Sequence, residues 1–337
     1  MRKYRKLVFF TLGFFIIAGM LFGYVPRSYA QDDQDWTKPV NLSLSGIATN
    51  PVLVIDFKNV LHTIWVDNID GFKHSQSADG VTWTKPQTAE FPFDREGAPP
   101  VLLSDVNGSI HIFWINKATE LFYSETTPLD LLNPVNWQTV TRLARNVVNY
   151  DVVLDSRGAL HLAYIDNVNS EANPAGIYYR QIPAGASSWN AEIRLYESEY
   201  FRSATKSGAL VRIATSNTFP GQKVYVAWDS QPQKRLFMAT SNDSGLNWNQ
   251  AKQIKDVEDI GGVNTPFNLN VAAANEKVLI IWQVGEPDMA QCSVFSQWSE
   301  NSGESWRDTA AVFSDPKDCP TQTQFVIQNK DYINMGL

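Results

Sequence analysis

Asp56-Phe57-Lys58-Asn59-Val60-Leu61-His62-Thr63-Ile64-Trp65 returns twice without a gap. The second copy is Asp105-Val106-Asn107-Gly108-Ser109-Ile110-His111-Ile112-Phe113-Trp114 and the third Asp155-Ser156-Arg157-Gly158-Ala159-Leu160-His161-Leu162-Ala163-Tyr164. Each reads as an Asp-x-x-Gly or Asp-x-x-Asn turn followed by an alternating strand that ends in an aromatic. Weaker copies follow at Gly221–Trp228 and Asn275–Trp282. The aromatic ends at 65, 114, 164, 228 and 282 lie 49, 50, 64 and 54 residues apart.

A second series lies between them. Trp36, Trp83, Trp137, Trp189, Trp248 and Trp306 are 47, 54, 52, 59 and 58 residues apart, so ten of the eleven Trp fall in one series or the other. Short aromatic strands precede five of these six, at 72–75, 121–124, 177–180, 236–240 and 294–297. Each unit is therefore four short strands, and helical periodicity is absent outside the N-terminal leader. Radially stacked four-stranded units of this length describe an all-β, six-bladed β-propeller; a linear solenoid has shorter coils. Trp36-Thr37-Lys38-Pro39 repeats Trp83-Thr84-Lys85-Pro86, which places the start of the mature chain on the outer strand of a blade completed by the C-terminus. The stretch 324–337 supplies two further strands and no third, so either the closing blade is incomplete or the chain is truncated.

Residues 1–30 read as a secretory signal peptide and 31–337 as the propeller. Arg2, Lys3, Arg5 and Lys6 precede a largely apolar run, Leu7–Val25, and Ser28 and Ala30 place small residues before Gln31. The same run, left uncleaved, could anchor the chain in a bilayer, which would be its one contact with a membrane. Both readings put the remainder outside the cytoplasm, where Cys292 and Cys319 are expected to form one structural disulfide, with two separate buried thiols as the alternative. The 337 residues are 44% hydrophobic and 19% charged, enough apolar surface for a large core. Beyond the leader, 23 basic residues face 35 acidic ones, and such a surface repels phosphate backbones, excluding nucleic acid as a partner. No phosphate-binding glycine loop, CxxC or histidine cluster with metal spacing is present, so neither cofactor nor metal is expected. His62, His111 and His161 share one phase in three different blades and are read as packing or hydrogen-bonding residues of the second strand. Asp56, Asp105 and Asp155 are read as turn formers.

Three segments carry a more specific pattern. Ser241-Asn242-Asp243-Ser244-Gly245-Leu246-Asn247-Trp248 matches Ser-x-Asp-x-Gly-x-Thr-Trp with Asn in the Thr place. Ser299, Asn301, Gly303 and Trp306 repeat it, and Ser77, Asp79, Gly80 and Trp83 form a version one residue shorter. This Asp-box resembles the bacterial neuraminidase repeat, and the blade plan is similar to that of the sialidase-like propellers. The resemblance bears on fold. It implies that the boxes lie between strands three and four, on the face opposite an active site, with Asp or Asn accepting backbone N–H bonds, Gly supplying a positive φ and Trp packing between strands.

An active sialidase of this family clamps its substrate carboxylate with three Arg, uses a Tyr nucleophile activated by Glu, and an Asp acid/base. The first Arg belongs to an Arg-Ile-Pro motif on the first inner strand, where this chain has Thr49-Asn50-Pro51-Val52 and no Arg. Arg95, Arg202 and Arg235 are the guanidiniums that could reach the mouth, Glu199 and Tyr200 a possible pair, and Asp94 a possible acid. Each competes with the reading of a solvated loop charge. Glu96, Tyr150, Asp151, Asp166 and Asp229 complete an acidic mouth, with Tyr150 and Tyr200 expected as exposed aromatics that stack on sugar rings. Three functions follow as expectations. The first is a secreted propeller that binds a glycan or an extracellular protein without the full sialidase set. The second is an exo-acting sialidase on terminal sialic acids. The third is a propeller module of a longer surface protein.

Overall fold

The computed structural model describes residues 39–313, apart from 171–172, 205–207, 218–221, 231–232, 234, 255–265 and 285–292. The leader, Trp36, Lys234, the 258–264 loop, Glu286, Asp288, both cysteines and the 324–337 stretch lie outside the described residues.

Twenty strands form five antiparallel sheets, each four strands in sequence order. Sheet one is β1 (Ala48–Ile55), β2 (Leu61–Asp67), β3 (Gly71–Ser77) and β4 (Gln87–Thr88). Sheet two is β5 (Val101–Ser104), β6 (Ile110–Ile115), β7 (Leu121–Thr126) and β8 (Thr141–Ala144). Sheet three is β9 (Val147–Leu154), β10 (Leu160–Asp166), β11 (Gly176–Ile182) and β12 (Ile193–Glu197). Sheet four is β13 (Val211–Asn217), β14 (Gln222–Ser230), β15 (Arg235–Ser241) and β16 (Lys252–Gln253). Sheet five is β17 (Pro266–Ala274), β18 (Lys277–Val284), β19 (Ser293–Ser299) and β20 (Ala310–Phe313). The quoted repeat is the turn into the second strand of sheets one, two and three. Among the described residues the only helical elements are 3-10 turns at Pro134–Asn136 and Glu199–Ser203.

The core lies between the sheets. Four apolar clusters join one to two, two to three, three to four and four to five. Second strands are buried almost throughout; in sheets two, three and four both faces meet a neighbouring sheet, and β10 has no exposed position. Trp228, Trp282 and Tyr164 are among the largest fully buried side chains, and burying each aromatic stabilises by about 1.5–3 kcal/mol. First strands of successive sheets adjoin: β1 with β5, β5 with β9, β9 with β13, β13 with β17. Face-to-face sheets that meet at their first strands are the blades of a propeller.

The repeated histidines belong to this framework. Nε2 of His62 lies 3.4 Å from Asp56, that of His111 3.6 Å from Asp105 and that of His161 3.2 Å from Asp155. Each Nδ1 meets a third-strand side chain: His74 Nε2 at 3.2 Å, the Tyr123 hydroxyl at 3.0 Å and the Tyr179 hydroxyl at 2.6 Å. Each Asp also accepts backbone N–H bonds within its turn, as Asp56 does from Lys58 and Val60.

The Asp-box turns are held from within. Asp79 accepts from the N–H of Val81 and Thr82 at 2.8 and 2.6 Å, Asp243 from Asn247 at 2.8 Å and Asn301 from Ser305 at 2.9 Å. Ser77, Ser241 and Ser299 accept from the N–H of Gly80, Gly245 and Gly303. These backbone and side-chain bonds to Asp79 pull its carboxyl down to about 2. Gly245 has φ +85°, and a Cβ there would lie 1.9 Å from the Tyr179 hydroxyl of the preceding blade. The glycine is thus needed for a contact between blades as well as for the turn.

Candidate functional site

Among the described residues, the loops after β2, β6 and β10, together with the links from sheet one to two and from two to three, lie at the strand ends opposite the Asp-boxes. Among the described residues, clefts open where the link leaving one blade meets the second-to-third-strand loop of the next, at sheets one and two and at sheets two and three. The first, about 570 Å³, is lined by Pro92–Glu96 and Asn116–Ala118. The second, about 320 Å³, lies one blade further on, between Arg142–Asn146 and a wall of Tyr164, Asp166, Val168, Ser170, Asn173 and Glu192.

The first cleft holds Asp94, Arg95 and Glu96. The Arg95 guanidinium packs over the Phe72 ring at 5.9 Å, in space that Gly71 leaves open. Asp94 is largely buried and accepts from the Glu96 N–H at 3.2 Å. Lys117 stands 3.8 Å from both Asp94 and Glu96. Such loose, mostly exposed pairs contribute little.

The second cleft is more tightly built. Tyr164 lies near the end of β10 with its ring buried and stacked on Tyr178. Its hydroxyl donates to Glu192 at 2.5 Å, and the Asn173 side-chain amide donates to the other Glu192 oxygen at 2.6 Å. Burial, then the Glu192 bond, drives the Tyr164 phenol far above its ordinary value. Asp166 is 8% exposed and accepts from the Val168 N–H at 2.9 Å. Its burial raises the carboxyl to about 6, helped by the Glu192 charge and opposed by the Val168 bond. Opposite, Arg142 and Arg145 lie 3.0 and 3.6 Å from Glu120.

A third group stands where β9 meets β13. Asn149 and Asp151 accept from the N–H of Val211 and Ile213, each at 2.9 Å. Arg212 reaches Asn149 at 3.4 Å and the Val211 carbonyl at 2.8 Å. Burial raises the Asp151 carboxyl, and Arg212 opposes the rise. Asp229 is almost fully buried, accepts from the Leu210 N–H at 2.6 Å and is pushed by burial up to about 7.

The expected site residues are therefore dispersed. Arg95 lines the first cleft, Arg202 stands on the link between sheets three and four, and Arg235 begins β15; neither cleft is lined by more than one of the three. Glu199 is engaged by Arg202 at 2.8 Å and Asn169 at 3.1 Å, while the Tyr200 hydroxyl donates to the Gly208 carbonyl at 3.0 Å. Glu199 and Tyr200 thus do not form a base–nucleophile pair among the described residues. Tyr150 is no exposed stacking platform. It alternates with Asn149 and Asp151 along β9, so it points between sheets two and three, where its hydroxyl donates to the Phe113 carbonyl at 3.0 Å. The stretch 49–52 is a β-bulge with Asn50 at φ +52°, at the position where an inner-strand Arg was sought. Asp166 lies in the second cleft, while Asp151 and Asp229 flank Arg212.

Arg142, Arg145, Tyr164, Asn173, Glu192 and Arg212 were not foreseen as site residues. One signal was available. Near the end of each second strand stands an aromatic, Trp65, Trp114, Tyr164, Trp228 or Trp282, and the single Tyr marks the second cleft.

No protein-family model matches the chain, and no curated protein matches it. Solved structures do resemble it in three dimensions. The BP39L lectin from Burkholderia pseudomallei is 14% identical, with 82% of this chain and 74% of that chain covered and a TM-score of 0.55. The six-bladed fungal lectin of Aleuria aurantia is 13% identical over 81% and 78%, with a TM-score of 0.48. A sialidase, Hadza microbial sialidase Hz136, is 15% identical over 80% and 59%, with a TM-score of 0.43. At these identities a likeness bears on fold alone, and of the three only the first exceeds 0.5. It agrees with the β-propeller described above.

Proposed function

We propose that this protein is a secreted, carbohydrate-binding β-propeller of the sialidase-like type that holds glycans in clefts between successive blades. The observation that carries the reading is the second cleft, where Tyr164, Asp166, Asn173 and Glu192 converge within about 320 Å³. Carboxylates and amides that meet in a concave site are suited to sugar hydroxyls. The first cleft has the same place in the preceding pair of blades, which favours repeated binding sites over one central site. In this reading residues 1–30 are a cleaved signal peptide, the ring has six blades closed by strands from both termini, and Cys292 and Cys319 are bridged. The surface is acidic overall, and glycans or glycosylated extracellular proteins are its proposed partners.

A second reading, a sialidase-type glycoside hydrolase, is favoured by one feature: the Tyr164–Glu192 pair at 2.5 Å shares the cleft with Asp166 and two Arg. Against it, both guanidiniums are engaged by Glu120 and the phenol is held protonated by burial. A glycan array and a fluorogenic sialoside assay on the purified protein separate the readings. Glycan capture without turnover is expected. Turnover lost in Tyr164→Phe would establish the hydrolase, and a folded protein that neither captures nor cleaves any glycan would refute both.

A further inference from the structure

The cleft between sheets two and three differs from other blade junctions in a way that specifies its ligand. Its second-strand aromatic is Tyr164, where the other four described second strands carry Trp. The indoles of Trp65, Trp228 and Trp282 bury their N–H groups without a partner, whereas the Tyr164 hydroxyl donates to Glu192, and both residues line the cleft. The smaller ring, in place of an indole, brings a hydroxyl to Glu192 at the cleft wall.

The cations of this cleft stand on the wall opposite Asp166 and Glu192. Arg142 and Arg145 face Glu120, and Arg180 behind them donates to the carbonyls of Leu143 and Asn190 at 2.7 and 3.0 Å. The acceptors are not matched by cations. Glu192 is held by Tyr164 and Asn173, both uncharged, and Asp166 by the backbone N–H of Val168. A carboxylate fixed by neutral donors retains lone pairs for further donors. Sugar hydroxyls are such donors; a sugar carboxylate is not, and beside Asp166 and Glu192 it meets like charge.

We infer that the cleft between sheets two and three binds an uncharged sugar through neighbouring hydroxyls that donate to Asp166 and Glu192, and that it discriminates against sialic and uronic acids. This rests on the carbohydrate-binding reading and names the ligand class of that site. Val168, at the cleft wall, offers an apolar contact for the C–H face of the ring.

The test is calorimetric titration of the intact protein with methyl glycosides of glucose, galactose, mannose and fucose, beside those of N-acetylneuraminic and glucuronic acid. The same titrations are run on Tyr164→Trp, which restores the common residue and fills the cleft, and on Asp166→Asn and Glu192→Gln. Thermal unfolding of each variant shows that it is folded. The expected result is binding of at least one neutral glycoside, weakened at least tenfold in Tyr164→Trp and in one or both carboxyl variants, with no binding of the acidic glycosides. Neutral binding that survives all three substitutions would overturn this assignment and leave the carbohydrate-binding reading standing. Acidic glycosides bound in preference, and lost in Tyr164→Trp, would overturn the ligand class. Absence of binding to every glycoside tested would overturn both readings together.

Discussion

Asp151 in the third blade accepts a hydrogen bond from the backbone N–H of Ile213 in the fourth, at 2.9 Å. Two residues earlier on each strand, Asn149 does the same for Val211. The first strand of a propeller blade is an edge strand, with N–H groups that no strand of its own sheet receives. Two side chains of the previous blade receive them here. Replacing Asp151 by Ala would orphan a largely buried N–H and remove a carboxylate whose charge Arg212 favours. We expect a loss of about 1–3 kcal/mol in denaturant unfolding, and a smaller loss in Asp151→Asn, whose amide oxygen still accepts.

Gly245→Ala tests the second contact between blades. Its φ of +85° is strained for any Cβ, and that atom would stand 1.9 Å from the Tyr179 hydroxyl. The expected destabilisation exceeds about 2 kcal/mol. Adding Tyr179→Phe should recover part of it by removing the clashing oxygen, although the hydroxyl's bond to His161 is lost with it.

Acid should weaken the first blade through His74. Burial, then the neighbouring His62, depresses its pKa from 6.5 to about 4. The folded state thus favours the neutral ring. The stability it contributes is fully present above pH 6.5 and is lost as pH falls from there toward 4. Tyr123 and Tyr179 hold the matching place in blades two and three and bond their histidines there. The variant His74→Tyr should therefore keep the His62 bond and flatten the fall in thermal midpoint between pH 7 and pH 4.5.

Asp229 predicts the opposite slope. Its pKa is raised from 3.8 to about 7, chiefly by burial. The stability it contributes is complete below pH 3.8 and disappears as pH rises through 7. Asp229→Asn retains an acceptor for Leu210 and cannot ionise. It should unfold at a higher temperature than the wild type at pH 8, and the gap should close near pH 4. A pKa difference is worth about 1.4 kcal/mol per unit, so the gap is at most a few kcal/mol.

Much of the blade plan could be read from the sequence, because its signals are local. Turn, alternating strand and closing aromatic occupy ten consecutive residues in the quoted repeat, and the Asp-box bonds span four residues or fewer. The site was far less legible. Tyr164 on β10 and Glu192 just before β12 are 28 residues apart, and Arg142 comes from the preceding sheet. Their meeting depends on how two blades stack, which no periodicity reports. Tyr150 shows the same limit. It reads as an exposed aromatic of a mouth loop, whereas it lies within β9 with its ring packed between sheets two and three. Glu199 and Tyr200 are adjacent in sequence and still part company, because the 3-10 turn at Glu199–Ser203 directs Glu199 to Arg202.

The central claim is that sugar is held between blades two and three. Its most direct test is one glycan array probed side by side with wild type, Tyr164→Trp and Tyr200→Phe. The account predicts glycan signals for wild type and Tyr200→Phe that fall at least tenfold in Tyr164→Trp. Undiminished signals in a folded Tyr164→Trp, or none for the wild type, would contradict it.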